Sequence, residues 1–250
     1  MHIGVDARSL GPLKTGVGTY LSEILKHWPE QNAGDKISLF SHQPIIFPNS
    51  TTFNHQVTNA HWGLPWYLFR SAVTINQQTP DVFWGAQNLL PVRLSKSVPA
   101  VITIHDCVHH LGVRYAPSRL YNWLHRYFLP SALQRALRVI AVSRFVADEV
   151  MHLFHVPAAK IEVTPLGVQP EFFETRFKDR EIARVIDRYQ LRRPFILGVG
   201  TLEPRKNLKT LLEAFALLPD RLRREYQLVL AGKTGWTRIV YIFYFFLSES

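Results

Sequence analysis

The chain holds one cysteine, Cys107, among its 250 residues. No intrachain disulfide can form, and the fold needs no oxidising compartment. Long apolar runs are also missing. The longest, IVYIFYFFL at 239–247, falls far short of the roughly 20 residues that cross a bilayer. At the N-terminus, MHIGVDARSL places Asp6 and Arg8 where a secretion leader needs an unbroken apolar core. That predicts no signal peptide and a cytoplasmic location. No Asp-x-Asp pair occurs, so a carboxylate-held divalent ion, or any other metal, is not expected. Acidic residues are sparse as well, 19 against 29 basic ones, for a formal charge of +10. Such a surface attracts phosphates, anionic lipid or nucleic acid. The aromatic platforms and basic clusters of a nucleic-acid binder are lacking, so nucleic acid is not an expected partner.

What is present is ordinary globular composition, 47% apolar and 19% charged. Short apolar runs at 3–5, 37–40, 82–84, 100–104, 138–142, 160–164, 195–200 and 227–232 read as strands, several of them apolar on both faces. Helical patterns fall between them at 17–28, 65–77, 118–136, 144–154, 180–190 and 207–218. Strand–helix alternation predicts a doubly wound α/β architecture. A Gly–Pro break in LGVQPEFFE and a charged helical stretch precede the fresh strand FILGVG. The expected organisation is one complete domain over 1–170, a linker over 171–194 and the start of a second domain over 195–236.

Four stretches could carry chemistry. In TGVGTYLSEIL, Gly16 and Gly18 open a helix, where backbone N–H groups can meet an anion. The dinucleotide fingerprint wants a third glycine where Leu21 stands, and the same spacing also suits a tight loop with no ligand. In ITIHDCVHH, His105 and Asp106 stand at the carboxyl end of an apolar strand, the edge where open α/β sheets bind ligands. A continued strand would put His105, Cys107 and His109 on one face, but nothing nearby completes a tetrahedral metal set. A loop-bonded histidine is the plainer alternative. EPRKN sets Arg205 and Lys206 just before a helix near Asn207. Two cations and free helix N–H groups suit a diphosphate. Gly232-Lys233-Thr234 lacks the glycine a P-loop needs at Gln227 and is rejected. The last stretch, RLYNWLHRYFLPSALQRALR at 119–138, interleaves arginines with aromatics. A core-facing helix with a basic solvent face is the commoner outcome, and contact with anionic lipid is the alternative.

Four blocks in order, GVDAR…TGVGTY, ITIHD, AVSRFVADEV…KIEVTPLGV and ILGVGTLEPRKNLKTLLEAF…YQLVLAGKTGW, resemble the retaining glycosyltransferases of family 4, also called group 1. The resemblance covers about residues 1 to 236. It implies a GT-B fold, with two Rossmann-like domains, the N-terminal one for acceptor and the C-terminal one for a nucleotide-sugar. It implies that Gly16 and Gly18 approach the donor. His105, with Asp106 beside it, would contact the transferred sugar. Arg205 and Lys206 would neutralise the departing diphosphate. Many members carry Gly-Arg where this chain has Gly200-Thr201, which leaves Arg205 and Lys206 as the principal cations. The implied reaction is metal-independent, retaining transfer of a hexose, mannose-like. The donor is a nucleotide diphosphate sugar, GDP-sugar favoured over UDP-sugar, and no separate cofactor is implied. The acceptor would be a glycan or lipid-linked molecule of surface polysaccharide synthesis, and the 119–138 stretch leaves open a peripheral contact with anionic membrane. The family's downstream Glu-x₇-Glu pair is not in the sequence, and 237–250 breaks the pattern with an aromatic apolar tail. The resemblance therefore also allows a truncated, inactive chain that acts at most as a binding module.

Overall fold

The computed structural model describes residues 1–12, 15–48, 50–110, 118–169, 171–174 and 179–232. Lys233 and Thr234 of the rejected P-loop and the tail 237–250 lie outside these residues. The chain divides into two compact units, Met1–Gly167 and Val168–Ser250.

The first unit is a seven-stranded parallel sheet in the order β3-β2-β1-β4-β5-β6-β7. Its strands are β1 (His2–Asp6), β2 (Lys36–Ser41), β3 (Phe53–Val57), β4 (Val82–Gly85), β5 (Ala100–Ile104), β6 (Arg138–Ala141) and β7 (Ile161–Val163). Helices α1 (Gly16–Gln31), α2 (Gly63–Phe69), α3 (Ser71–Gln78), α4 (Arg119–Arg135) and α5 (Arg144–Phe154) connect them. Parallel strands need crossovers, and the crossover helices bury both sheet faces. Two apolar clusters result. One gathers Ile3, Val5, Leu21, Leu25, Ile37 and Leu39. The other gathers Tyr67, Phe83, Ile102, Ile104, Leu129, Leu133 and Val150.

Helix starts follow local chemistry. Thr15, Ser118 and Ser143 each accept a backbone N–H in the first turn, from Gly18, Tyr121 and Val146. Such caps contribute about 1 kcal/mol each. The expected helix over 65–77 is two helices. Ser71 Oγ donates to Tyr67 O at 2.6 Å, and Arg70 at the junction has the irregular φ of −114°. A side chain that occupies the carbonyl four residues back bends a helix. Strand β3, FNHQV, was not expected. It is an edge strand with one buried residue, Phe53, so it needs little apolar sequence.

A buried ion pair sits at the end of β1. The Arg8 guanidinium donates from Nε to Asp6 Oδ1 at 2.9 Å and from Nη2 to Asp6 Oδ2 at 2.8 Å. It also lies 3.7 Å from the centre of the Tyr67 ring. Removing one partner of such a pair typically costs about 3–5 kcal/mol, because the other charge stays buried.

The second unit holds α6 (Glu171–Glu174), α7 (Asp179–Arg188), β8 (Phe195–Val199), α8 (Leu208–Ala216), α9 (Asp220–Glu225) and β9 (Gln227–Ala231). β8 and β9 pair in parallel as a two-stranded sheet. Helix α9, DRLRRE, was not expected, since it has no apolar stripe to read. Glu203 is the one buried residue among those described in this unit, and Ile196, Leu197 and Val199 of β8 are exposed.

Helix α4 buries Asn122, Leu124, His125, Leu129, Ala132 and Leu133. His125 stacks on His109 with ring centres 4.1 Å apart. Among the described residues, neither ring nitrogen of His125 finds a hydrogen-bond partner. Burial, then the neighbouring His109, Arg8 and His110, push its pKa down to about 3. Burial also lowers His42 and His110. The folded protein thus holds fewer protons than the unfolded chain below about pH 6.5, the ordinary value for histidine. For His125, stability is full above that pH and falls as pH drops towards about 3, by up to about 1.4 kcal/mol per pH unit, and the partly exposed His42 and His110 act in the same direction. Urea unfolding at neutral pH and near pH 5 will show this loss, and His125→Phe will flatten it. An unchanged slope in that variant would mean that His125 does not hold out against protonation.

Candidate active site

The strand order reverses beside β1, whose neighbours are β2 and β4. At such a switch point the loops leaving the two strands part, and the carboxyl edge opens into a crevice. Just beyond it, the loops after β4 and β5 and the helix after β1 come together through Ala86, His105 and Tyr20.

His105 follows directly on β5 and is half-buried. Its ring Nε2 lies 2.9 Å from Ala86 O. A carbonyl only accepts, so Nε2 carries the proton and Nδ1 is left as the acceptor of the neutral ring. Burial lowers the His105 pKa, opposed by the bond to Ala86 and by Asp106. Tyr20 of α1 meets the His105 ring edge-on at 5.0 Å, and also meets Trp84 of β4 at 6.4 Å. Trp84 Nε1 in turn donates to Thr103 Oγ1 at 2.9 Å. The His105 main-chain N–H donates to Asn88 Oδ1 at 2.8 Å, and Asn88 Nδ2 donates to Asp106 O at 3.2 Å. Asp106 turns its carboxylate into the following turn, where Oδ1 accepts from Val108 N at 3.3 Å.

The strand stops at Ile104, so the alternation expected of His105, Cys107 and His109 does not arise. Val108–His110 is a 3-10 turn, and Cys107 and His109 are buried. Burial, then Glu149 and Asp106, push the Cys107 thiol up to about 12, so it stays a neutral thiol. No group of three metal-ligating side chains occurs among the described residues.

Gly16 and Gly18 differ sharply. Gly16 begins α1, is exposed, and a Cβ there would meet nothing within 4 Å. Gly18 is buried, its N–H is already taken by the Thr15 cap, and a Cβ would run into Ser9 O. Packing alone accounts for Gly18, whereas Gly16 offers open backbone one turn before Tyr20.

Arg205 and Lys206 belong to the second unit, in the 3-10 turn Pro204–Lys206 ahead of α8. Glu203 Oε1 accepts from Arg205 Nε at 3.0 Å and lies 2.9 Å from its Nη2. This pairing orients the Arg205 fork and offsets part of its charge. Lys206 folds back so that its Cε lies 3.8 Å from where a Cβ on Gly200 would stand. Asn207, at φ +51°, turns the chain into α8.

Sequence reasoning passed over Asn88, Tyr20 and the Asp6–Arg8 pair. Asp6 and Arg8 stood out only as charges in an apolar strand. Asn88 gave no signal beyond an asparagine in a loop.

Residues 14–172 match the family described as Glycosyltransferase Family 4, and residues 179–240 match Glycosyl transferases group 1. The first match spans well over half of the chain, and the protein belongs to glycosyltransferase family 4. It is 28% identical over 240 residues to the O-antigen chain mannosyltransferase B of Escherichia coli, across 89% of this chain and 61% of that relative. Among solved structures it resembles WaaG, a glycosyltransferase involved in lipopolysaccharide biosynthesis. The TM-score is 0.65 and the identity 15%, covering 94% of this chain and 64% of WaaG. It also resembles Anabaena HepE in complex with UDP and glucose. There the TM-score is 0.58 and the identity 16%, covering 94% of this chain and 61% of HepE. Both likenesses bear out the expected GT-B fold class. The chain spans about three-fifths of the length of its curated relative.

The two glycines give a direct test. Gly16→Ala should leave unfolding stability within about 0.5 kcal/mol, as an exposed position does. Gly18→Ala should cost about 1–3 kcal/mol, the range for overpacking. Urea titration of both variants measures this, and equal losses would mean that the loop before α1 relaxes to admit a side chain.

Proposed function

We propose that the protein transfers a hexose, mannose-like, from a nucleotide diphosphate sugar to a glycan or lipid-linked acceptor in surface polysaccharide synthesis. One observation carries the reading. His105 is fixed just beyond β5 with Nε2 bonded to Ala86 O, which leaves Nδ1 as the ring's acceptor, and its ring packs against Tyr20 of α1, the helix that Gly16 opens. A sugar hydroxyl donates to such a nitrogen, and an anion suits the start of α1. The mannosyltransferase relative supports the choice of sugar. GDP-sugar over UDP-sugar is part of the proposal. HepE, solved with UDP and glucose, supports a nucleotide-sugar donor.

The transfer proceeds with retention. The bond from the sugar's anomeric carbon to the diphosphate breaks, and the acceptor oxygen bonds to that carbon on the same face. The acceptor's proton passes to the departing phosphate oxygen. Arg205 and Lys206 neutralise the leaving diphosphate, so no metal is assigned to that task. His105 positions the sugar, and Asp106 shapes the turn behind it. Incubation with labelled GDP-mannose and a lipid-linked glycan should give labelled product. Lys206→Ala and Arg205→Ala should each lower turnover by on the order of a hundredfold, the scale for one electrostatic donor. Unchanged turnover in both would remove them from the reaction.

A second reading, acceptor binding without transfer, is favoured by the exposed apolar residues of β8. Calorimetric titration with GDP-mannose separates the two, since a binding module for acceptor alone gives no heat with the donor.

The proposal includes a peripheral contact of α4 with an anionic membrane surface. Trp123 and Tyr127 stack at 5.3 Å on its exposed side, 56% and 64% accessible. Phe128 meets Phe69 of α2 edge-on at 5.6 Å, and Arg70, Arg119 and Arg126 are exposed around them. Aromatic rings settle at headgroup depth, and each nearby arginine adds about 1 kcal/mol on anionic lipid. No helix among the described residues is long and apolar enough to cross a membrane. Sedimentation with phosphatidylglycerol vesicles should capture the protein, less so at high salt. Arg126→Gln should weaken capture by roughly fivefold, in line with that energy. Equal binding to neutral phosphatidylcholine would refute the electrostatic part.

A further inference from the structure

Asn88 holds an unusual position. It lies in the loop after β4, at φ +55°, a left-handed conformation that asparagine tolerates better than most side chains. It is buried. The β4–β5 ladder reaches only as far as Gly85 opposite Ile102. Beyond that point Asn88 continues the pairing. Its own N–H donates to Thr103 O at 3.0 Å. Its Oδ1 accepts from His105 N at 2.8 Å, and its Nδ2 donates to Asp106 O at 3.2 Å. Two residues earlier, Ala86 O takes the His105 ring. One short loop therefore grips the His105 main chain, the His105 ring and the next carbonyl.

We infer that Asn88 is a positioning residue for sugar transfer, which holds the His105–Asp106 peptide so that the His105 ring presents Nδ1 in one orientation. The inference rests on the sugar-transfer reading of His105 given above. Only asparagine meets all the demands at this place. Aspartate lacks the donor for Asp106 O and would set a carboxylate against that carbonyl. Alanine and glycine lack both bonds. Glycine alone keeps the left-handed backbone without strain.

The decisive variant is Asn88→Gly, with Asn88→Asp as a second that keeps the acceptor for His105 N. Two readouts are taken on the whole chain. The first is kcat and donor KM for transfer from GDP-mannose. The second is the nitrogen spectrum of histidine-labelled protein, with the His105 signal identified by its loss in His105→Gln. We expect Asn88→Gly to lower kcat by on the order of a hundredfold, the effect of an ångström-scale misplacement, with donor KM changed far less. His105 should change from one Nε2-protonated form to a mixture of tautomers. Asn88→Asp should fall between this and the natural protein in both readouts. A folded Asn88→Gly variant with unchanged kcat and a single His105 tautomer would overturn the inference. If only the Asp variant folds, an unchanged kcat and His105 signal in it would overturn it equally. If the natural chain transfers no sugar, the transfer reading fails by itself and the inferred role in transfer falls with it, while the spectrum still reports whether Asn88 orients His105.

Discussion

A parallel sheet covered on both faces leaves its polar chemistry one outlet, the carboxyl edge of its strands. Everything specific about this protein follows from that constraint. The faces are filled by Ile, Val, Leu and Phe, and no charge can be placed there at tolerable cost. Asp6, Arg8, Asn88, His105 and Asp106 all lie at or just beyond strand ends. The reversal of strand order beside β1 then opens that edge to a ligand. The geometry of the candidate site is thus a by-product of burying the sheet.

The same constraint explains which features the sequence reveals. β1, β2, β4, β5 and β6 are legible because strands buried on both faces read as unbroken apolar runs. β3 is not, because an edge strand with only Phe53 buried carries no such run. The break between α2 and α3 depends on one hydroxyl reaching one carbonyl, which no periodicity records. His105 is legible from its place after ITI, yet what holds it is not. Asn88 lies 17 residues away in sequence, and only the β4–β5 pairing brings them together. Gly16 and Gly18 look equivalent in the sequence, and only the position of Ser9 tells them apart.

The two units also differ in how firmly their candidate residues are held. His105 has its ring, its main chain and its neighbour tied to the loop after β4. Arg205 is tied to Glu203, while the ammonium of Lys206 stands on a long, exposed stem. A rigid acceptor of hydroxyls and a mobile cation suit different duties.

The state of Cys107 has a practical consequence. It is the sole sulfhydryl in the chain, buried and held neutral at about 12. Maleimide and iodoacetamide reagents, which need a thiolate, will pass it by at neutral pH. A cysteine introduced at an exposed site away from the candidate residues, such as Lys96, becomes the only reactive attachment point for a fluorophore or spin label. The natural protein thus serves as its own blank for such labels, with no background cysteine to remove first.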